Sequence, residues 1–292
     1  MRRVARLAGF LAVCLLFLVS IAAAHPVLLG FSRPARMRLA AGSVRLWARA
    51  CLRILGFNIN LHRLSGDLHS TPRLFVSNHQ SYLDVVIIAS VFPALFVAKT
   101  EVSGWPLIGW LSRLGGTIFV KREDARSGVG AAYRVSRSLR DGVNVQVFPE
   151  ATTGDGSSVL PFNGLFFASA VRSQAPVLPL TIKFQSVNGR PMDREALDLV
   201  CWYGEMDFAR HFWTLLSVES AEVSLVINEP INSARPQRAM ALARVARERI
   251  FRSFTDADDA RAEIPVFSFF SYGESEPFRD ATPQSEDAAK RR

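Results

Sequence analysis

The residues best placed to do chemistry lie in the stretch Arg73-Leu-Phe-Val-Ser-Asn-His-Gln-Ser-Tyr-Leu-Asp84, where His79 is followed five positions later by Asp84. A carboxylate within reach of an imidazole accepts from one ring nitrogen and fixes the tautomer. The other nitrogen is then free to take a proton from a hydroxyl, as a general base does. The spacing restricts how the two can meet. On a regular helix, five positions turn the side chain through about 500°, which leaves it about 140° off the starting face. The pair therefore requires His79 at the exit of a strand and Asp84 in the opening turn of the helix that follows. The same residues also fit a structural role, because Ser81 and Asp84 have the Ser-x-x-Asp spacing of a helix cap with a carboxylate at the positive end of the helix dipole.

Two further polar residues stand at strand ends. Gly115-Gly-Thr-Ile-Phe-Val-Lys-Arg122 reads as a strand closing on Arg122, whose planar guanidinium suits a polar headgroup; pairing with Glu123 or Asp124 is the structural alternative. Phe148-Pro-Glu-Ala-Thr-Thr-Gly-Asp-Gly156 puts Glu150 directly after a strand in a glycine-bearing loop, where open α/β sheets collect their ligands. An exposed loop acid would look the same. Ser77 and Ser81 are the serines a hydrolase would set beside His79, yet no Gly-x-Ser-x-Gly elbow surrounds them. Trp105 and Trp110 flank a short apolar segment that could line an acyl groove, sit at a membrane interface or fill the core.

The elements that must position these groups follow from the apolar pattern. Strands are expected at Gly56–His62, Leu74–Val76, Ala94–Ala98, Val143–Phe148 and Val223–Ile227. Helices are expected at Tyr82–Val91, Asp124–Leu139, Phe162–Val171 and Pro236–Phe254, with a short helical stretch from Trp202 through Phe208 to Trp213. Ala175–Lys183 reads as a strand whose prolines place it at an edge or at the start of its run through the sheet. This alternation predicts an α/β fold, a mixed and largely parallel sheet flanked by helices. A chain of 292 residues with 49% apolar content holds one large domain of this kind or two smaller ones.

Charge and hydropathy narrow the partners. A formal net charge of +9 favours anionic partners, among them nucleic acid, acidic lipid headgroups and acidic carrier proteins. The chain's start chooses among them: Arg2, Arg3 and Arg6 precede an uncharged run from Leu7 to Ala24, long enough to cross a bilayer. A secretory signal peptide is the competing reading, since Ala22-Ala23-Ala24 resembles a cleavage site. Uncharged sequence continuing to Ser32 and the arginines beyond it argue against that. Arg33 to Arg53 form a basic amphipathic segment fit to lie in headgroups or to pack on the domain. Residues 1–56 are thus read as a membrane anchor with the arginine-rich side cytosolic, and nucleic acid is excluded as the partner. Residues 265–292 read as a disordered tail, since from about Tyr272 onward Gly, Ser, Glu, Pro and Asp dominate and large apolar residues nearly vanish. Cys14, Cys51 and Cys201 share neither metal-ligand nor disulfide spacing, so no metal is expected.

Four blocks in fixed order resemble the motifs of the glycerolipid acyltransferase family that includes 1-acylglycerol-3-phosphate acyltransferase: Asn78-His79 with Asp84, Gly116–Arg122, Phe148-Pro-Glu150 and Val177-Leu-Pro179-Leu180. The resemblance implies His79 as general base and Asp84 as its orienting partner. It also implies Arg122, Glu150, Asn78 and Thr152 at the acceptor, and Pro179 in the site wall. The resemblance covers roughly residues 45–185, and the catalytic domain is expected over 57–264. An acyl thioester, on coenzyme A or acyl carrier protein, would be the donor, with no further cofactor. The acceptor would be a membrane lipid at the cytoplasmic face of a bacterial-type inner membrane. The family's third block commonly reads Phe-Pro-Glu-Gly-Thr-Arg, where this chain has Ala151 and Thr153. A Pro-Phe-Lys element appears as Pro161-Phe162-Asn163. Without those cations, phosphate recognition is weakened. The Thr-Thr-Gly-Asp-Gly run and Trp202-Tyr-Gly-Glu-Met-Asp-Phe are more similar to lyso-ornithine lipid O-acyltransferases, and lysophosphatidate is the alternative acceptor.

Overall fold

The computed structural model describes residues 1–63, 71–121, 123–233, 238–256 and 263–265. In chain order, α1 (Arg2–Leu28) and α2 (Arg33–Leu55) precede β1 (Phe57–Arg63), β2 (Leu74–Ser77), α3 (Leu83–Val91) and β3 (Leu95–Lys99). A 3-10 turn (Thr100–Gly104), α4 (Ile108–Leu114), β4 (Ile118–Val120), α5 (Ala125–Arg140), β5 (Val145–Val147) and α6 (Phe167–Ser173) follow. The chain continues through β6 (Val177–Val187), β7 (Arg190–Pro191), α7 (Arg194–Val200), α8 (Phe208–Leu215), β8 (Ala221–Ile227), α9 (Ala239–Thr255) and β9 (Glu263–Pro265).

The strands form one sheet in the order β4-β3-β5-β2-β6-β8-β1-β9, with β7 hairpinned onto β6. From β4 to β6 all neighbours are parallel; β8 runs antiparallel to β6 and parallel to β1. The mixed, largely parallel sheet expected from the alternation is what forms. β2 sits at its centre with all four residues buried, as a strand covered on both faces must be. Its side chains alternate between two cores. Leu74 and Val76 face α5, α6 and α9, while Phe75 faces the side covered by α2, α3, α7 and α8.

Of the two places expected for the proline strand, β6 takes the second: it is interior rather than at an edge, with Pro176 just before it and Pro179 in its opening residues. Pro179 is tolerated because its missing N–H falls in a gap of the β8 ladder. Val177 exchanges backbone bonds with Ile231, pairing with β8 proper begins at Leu180–Ile227, and between them Asn228 N–H donates to Pro179 O at 3.0 Å. Several boundaries also move. The strand expected over 115–122 is reduced to Ile118–Val120, α6 starts at Phe167 instead of Phe162, and the run from Trp202 is a loop until Phe208. α7 was not legible in the pattern. Of the tail, residues 266–292 lie outside the described residues, and Pro265 pairs with Asn60.

α2 packs Ala48, Leu52 and Leu55 into the main core. It ends at Gly56 with φ +81°, where a Cβ would meet Glu219 O at 2.4 Å, so only glycine fits the turn into β1. α1 lies against α2 and α4 through Phe10, Cys14 and Phe17, and its Arg6 bonds the Val218 and Glu219 carbonyls. Among the described residues α1 is the one helix long and apolar enough to cross a membrane. Leu11, Leu15, Leu16 and Val19 on its outer side are exposed.

Candidate active site

β2, β3, β4 and β5 run parallel, so the residues after them converge at one edge of the sheet, where this architecture places ligands. β2 delivers His79. The chain does not enter α3 until Leu83, so His79 lies before the helix and Asp84 within its first turn. His79 Nδ1 is 2.8 Å from Asp84 Oδ2. The same oxygen accepts from the backbone N–H of Gln80 at 2.6 Å and of Ser81 at 2.9 Å. Asp84 is fully buried, and these three donors offset the removal of its carboxylate from water. The cap-like and imidazole-orienting roles are therefore filled together: Ser81 Oγ accepts from Leu83 N at 3.3 Å while the carboxylate closes back on the loop.

The loop is fixed from every side. Asn78 exchanges two bonds with Ile182 of β6, both at 2.9 Å, and Gln80 Nε2 donates to the same carbonyl at 2.8 Å. Gly154 N–H donates to His79 O at 2.8 Å, and Trp202 N–H to Gln80 O at 2.8 Å. The His79 ring stacks on Phe148, centroids 3.9 Å apart and planes 17° from parallel. With Nδ1 committed to Asp84, Nε2 is left for the cavity that His79 lines.

That cavity has a volume of about 1170 Å³. Its apolar wall includes Phe10 and Phe17 of α1, Trp47 and Cys51 of α2, and Ile108 and Leu111 of α4. Its polar lining includes Lys99 at the end of β3, Glu123 and Asp124 after β4, Thr152 and Thr153 after β5, and Asn163. Positions 153 and 163, where the phosphate-using pattern carries cations, thus lie on the cavity with neutral side chains.

Of the residues singled out in the sequence, the structure brings His79, Asp84 and Thr152 to the cavity or its immediate support. Asn78 is buried and committed to Ile182, and the buried Pro179 does not line the cavity. Glu150 turns inward as well: it is buried, the backbone N–H groups of Leu160 and His79 near its carboxylate only partly offset that burial, and it does not line the cavity. Burial pushes its carboxyl up to about 8, and the nearby Asp84 charge acts in the same direction. Arg122 lies outside the described residues. Ser77 and Ser81 are fully buried and do not line the cavity, and each oxygen accepts a bond, from Gln146 Nε2 and Leu83 N respectively. Neither is placed as a hydrolase nucleophile. The backbone N–H groups of Gln80 and Ser81, before the helix start, are taken by Asp84 and so do not serve as oxyanion donors.

The family model described as Acyltransferase matches residues 58–183, the part that carries this site. Lyso-ornithine lipid O-acyltransferase of Rhizobium meliloti is 30% identical over 255 residues, 85% of each chain. The enzyme of the same name from Pseudomonas aeruginosa is 34% identical over 217 residues, 74% of this chain and 78% of that one. The chain belongs to the acyltransferase family. The fold of this acyltransferase is similar to that of the 1-acyl-sn-glycerophosphate acyltransferase PlsC from Thermotoga maritima, with a TM-score of 0.58 at 20% identity over 94% of this chain and 100% of that one.

Sequence reasoning missed several contributors to the acyltransferase site. Phe148 stood in the Phe148-Pro-Glu150 block, but nothing there showed that its ring would stack on His79. Tyr82 and Phe208 line the cavity but carry no spacing that would single them out, whereas Trp105, for which an acyl groove was one of three readings, lines it too. Trp202 was noted, but its bond to Gln80 joins residues 122 positions apart, and no local pattern encodes such a contact.

Proposed function

We propose that this acyltransferase moves a fatty acyl group from a thioester to the hydroxyl of lyso-ornithine lipid, with His79 as general base. In the neutral form, with the proton on Nδ1 held by Asp84, Nε2 accepts the proton of the acceptor hydroxyl as its oxygen attacks the thioester carbonyl. The tetrahedral intermediate collapses with cleavage of the carbon–sulfur bond, and the imidazolium returns the proton to the departing thiolate. An ester and a free thiol result, and no cofactor is consumed. Asp84 orients the ring and stabilises the imidazolium. Phe148 keeps the imidazole plane fixed between the two proton transfers.

The observation that carries the acceptor is the character of the cavity lining. Among the described residues its cation is Lys99, against the carboxylates Glu101, Glu123, Asp124 and Glu205. Thr153 and Asn163 stand where a phosphate-binding pattern has cations. A phosphate dianion gains little in such surroundings, whereas a zwitterionic amino lipid meets carboxylates for its ammonium group. The names of the relatives that cover most of the chain support the same acceptor. The apolar wall built by α1, α2 and α4 suits an acyl chain, and α1 suits a membrane anchor that keeps the site at the cytoplasmic lipid surface. Acyl carrier protein or coenzyme A would deliver the thioester, and Arg122 would add a contact to the acceptor.

The test is an acyl-transfer assay with acyl carrier protein and coenzyme A thioesters, offering lyso-ornithine lipid and lysophosphatidate separately. Ornithine lipid is the expected product. Turnover of lysophosphatidate with none of lyso-ornithine lipid would overturn the assignment.

A further inference from the structure

The stretch from Trp202 to Phe208 lies beyond residues 58–183, the part matched by the family model, yet it contributes to the cavity. Its Trp202, Glu205 and Phe208 line the same cavity as Trp105 and Glu101, which come from the connection between β3 and α4. Trp105 and Trp202 stand at right angles (89°) with centroids 5.9 Å apart. Trp202 and Phe208 stand at 89° and 6.3 Å, and Trp105 and Phe208 at 45° and 4.9 Å. All three rings are half-buried, so part of each remains open to the cavity.

We infer that Trp105, Trp202 and Phe208, with the carboxylates Glu101 and Glu205 of the same cavity lining, form the subsite that takes the acceptor's primary ammonium group. The inference rests on the proposed amino-lipid acceptor and extends it to named residues. These right-angle pairs are edge-to-face contacts, and an ammonium group set over the remaining open ring face is attracted by its negative quadrupole. An alkyl chain would pack on the same rings but would gain nothing from two carboxylates, and the cavity already offers it the apolar wall of α1, α2 and α4.

The subsite is tied to the catalytic loop, which fixes its distance from His79. Trp202 N–H donates to Gln80 O, one residue from His79, and the indole N–H of Trp202 donates to Met206 O at 2.8 Å, closing the loop that carries Glu205. Tyr82, three residues after His79, packs against Phe208 with centroids 5.0 Å apart, and its hydroxyl pairs with His211 Nδ1 of α8 at 2.9 Å. The Thr-Thr-Gly-Asp-Gly loop is tied in as well. Arg194 of α7 donates to Asp155 at 2.8 Å. Gly156, at φ +81°, leaves a Cβ no room against Leu197 and Cys201. In a 3-hydroxyacyl ornithine, nine bonds separate the reacting hydroxyl oxygen from the terminal nitrogen, on the order of 11 Å when extended. A corner one or two side chains away from His79 lies within that reach. Holding both ends of the acceptor on preformed surfaces lowers the entropy lost on binding.

The experiment uses the full-length enzyme in detergent–lipid micelles with two acceptors, lyso-ornithine lipid and its δ-N-acetyl derivative, which lacks the charge. Wild type should use the acetylated acceptor about tenfold less efficiently, the loss appearing in KM. Trp105→Leu and Glu205→Gln should raise KM for the free amine by a similar factor and erase the discrimination, with kcat and the donor KM near wild type. Trp202→Phe, which keeps an aromatic face, should retain most of the discrimination, and melting curves report whether each variant is folded. Equal use of both acceptors by wild type would overturn the inference while leaving the acceptor assignment standing. Equal loss on both acceptors in the folded variants would reduce the wall to a structural part. Wild type acylating lysophosphatidate and neither ornithine acceptor would remove the acceptor assignment and the subsite together.

Discussion

His79 Nδ1 and Asp84 Oδ2 lie 2.8 Å apart across a loop that has not yet become helix, and the carboxylate that orients the ring also holds the two backbone N–H groups between them. One buried acid therefore sets the position of the loop and the tautomer of the base at once. Disturbing it should cost both geometry and proton transfer, while removing the imidazole should cost proton transfer alone.

His79→Ala is expected to lower kcat by at least about 10²–10⁴-fold, the range a positioned general base contributes. Because Asp84 keeps its bonds to Gln80 and Ser81, the variant should remain folded and should still bind lipid micelles. Rates of acyl transfer measured beside circular dichroism check this; activity near wild type would eliminate the base.

Asp84→Asn should be as severe for a different reason. Oδ2 alone faces Nδ1 and the Gln80 and Ser81 N–H groups, so an amide oxygen kept at that place holds the loop and the tautomer but carries no negative charge to stabilise the imidazolium. An amide nitrogen at that place would leave both backbone N–H groups without their acceptor. A fall in kcat of about 10²–10⁴-fold is expected, and circular dichroism measured beside the rates separates loss of the charge from loss of the loop.

What could be read in advance divides along physical lines. The strands carrying the site were legible because Leu74 to Val76 and Val143 to Phe148 are continuous apolar runs, which a strand buried on both faces requires. The His79–Asp84 pair was legible because helix geometry left only one way for it to form. The inward turn of Glu150 was not. A carboxylate after a strand end looks the same whether it faces a ligand or the interior, and its direction is set by the packing of the loop. For Pro179 the sequence left an edge and the start of an interior run both open, because the choice depends on where the neighbouring β8 ladder has its gap. Contacts such as Trp202 to Gln80 arise only once the sheet has assembled.

Glu150 gives the acyltransferase a stability that depends on pH. Its carboxyl is pushed by burial from 4.5 up to about 8 in the folded protein. Below the unfolded value both states hold the proton, and the buried neutral acid costs nothing extra. Between the two values the folded state keeps a proton that the unfolded state releases, so stability falls as pH rises, by up to about 1.4 kcal/mol per pH unit. Above the folded value the loss is complete. Glu150→Gln, neutral throughout, should abolish this slope. Melting temperatures of the two proteins should separate progressively from pH 5 to pH 8 in favour of the glutamine variant, and parallel curves would show that Glu150 is already ionised in the fold.

Ala151, between Glu150 and the cavity-lining Thr152, adopts φ +60°, a conformation in which a Cβ crowds the backbone by roughly 1–2 kcal/mol. Glycine removes that crowding but adds about 0.4–1 kcal/mol of unfolded-state entropy. Ala151→Gly should therefore stabilise the protein slightly, by roughly 0.5–1 kcal/mol, and raise its melting temperature by a few degrees or less. The side chain itself contributes no polar contact to the acceptor, so kcat and both KM values should stay near wild type if the loop keeps its shape. Gly154 N–H to His79 O is the bond most exposed to any change in that shape. Differential scanning fluorimetry gives the stability, and the acyl-transfer assay gives the constants. A loss of activity together with a gain in stability would mean that the strained turn sets the position of His79.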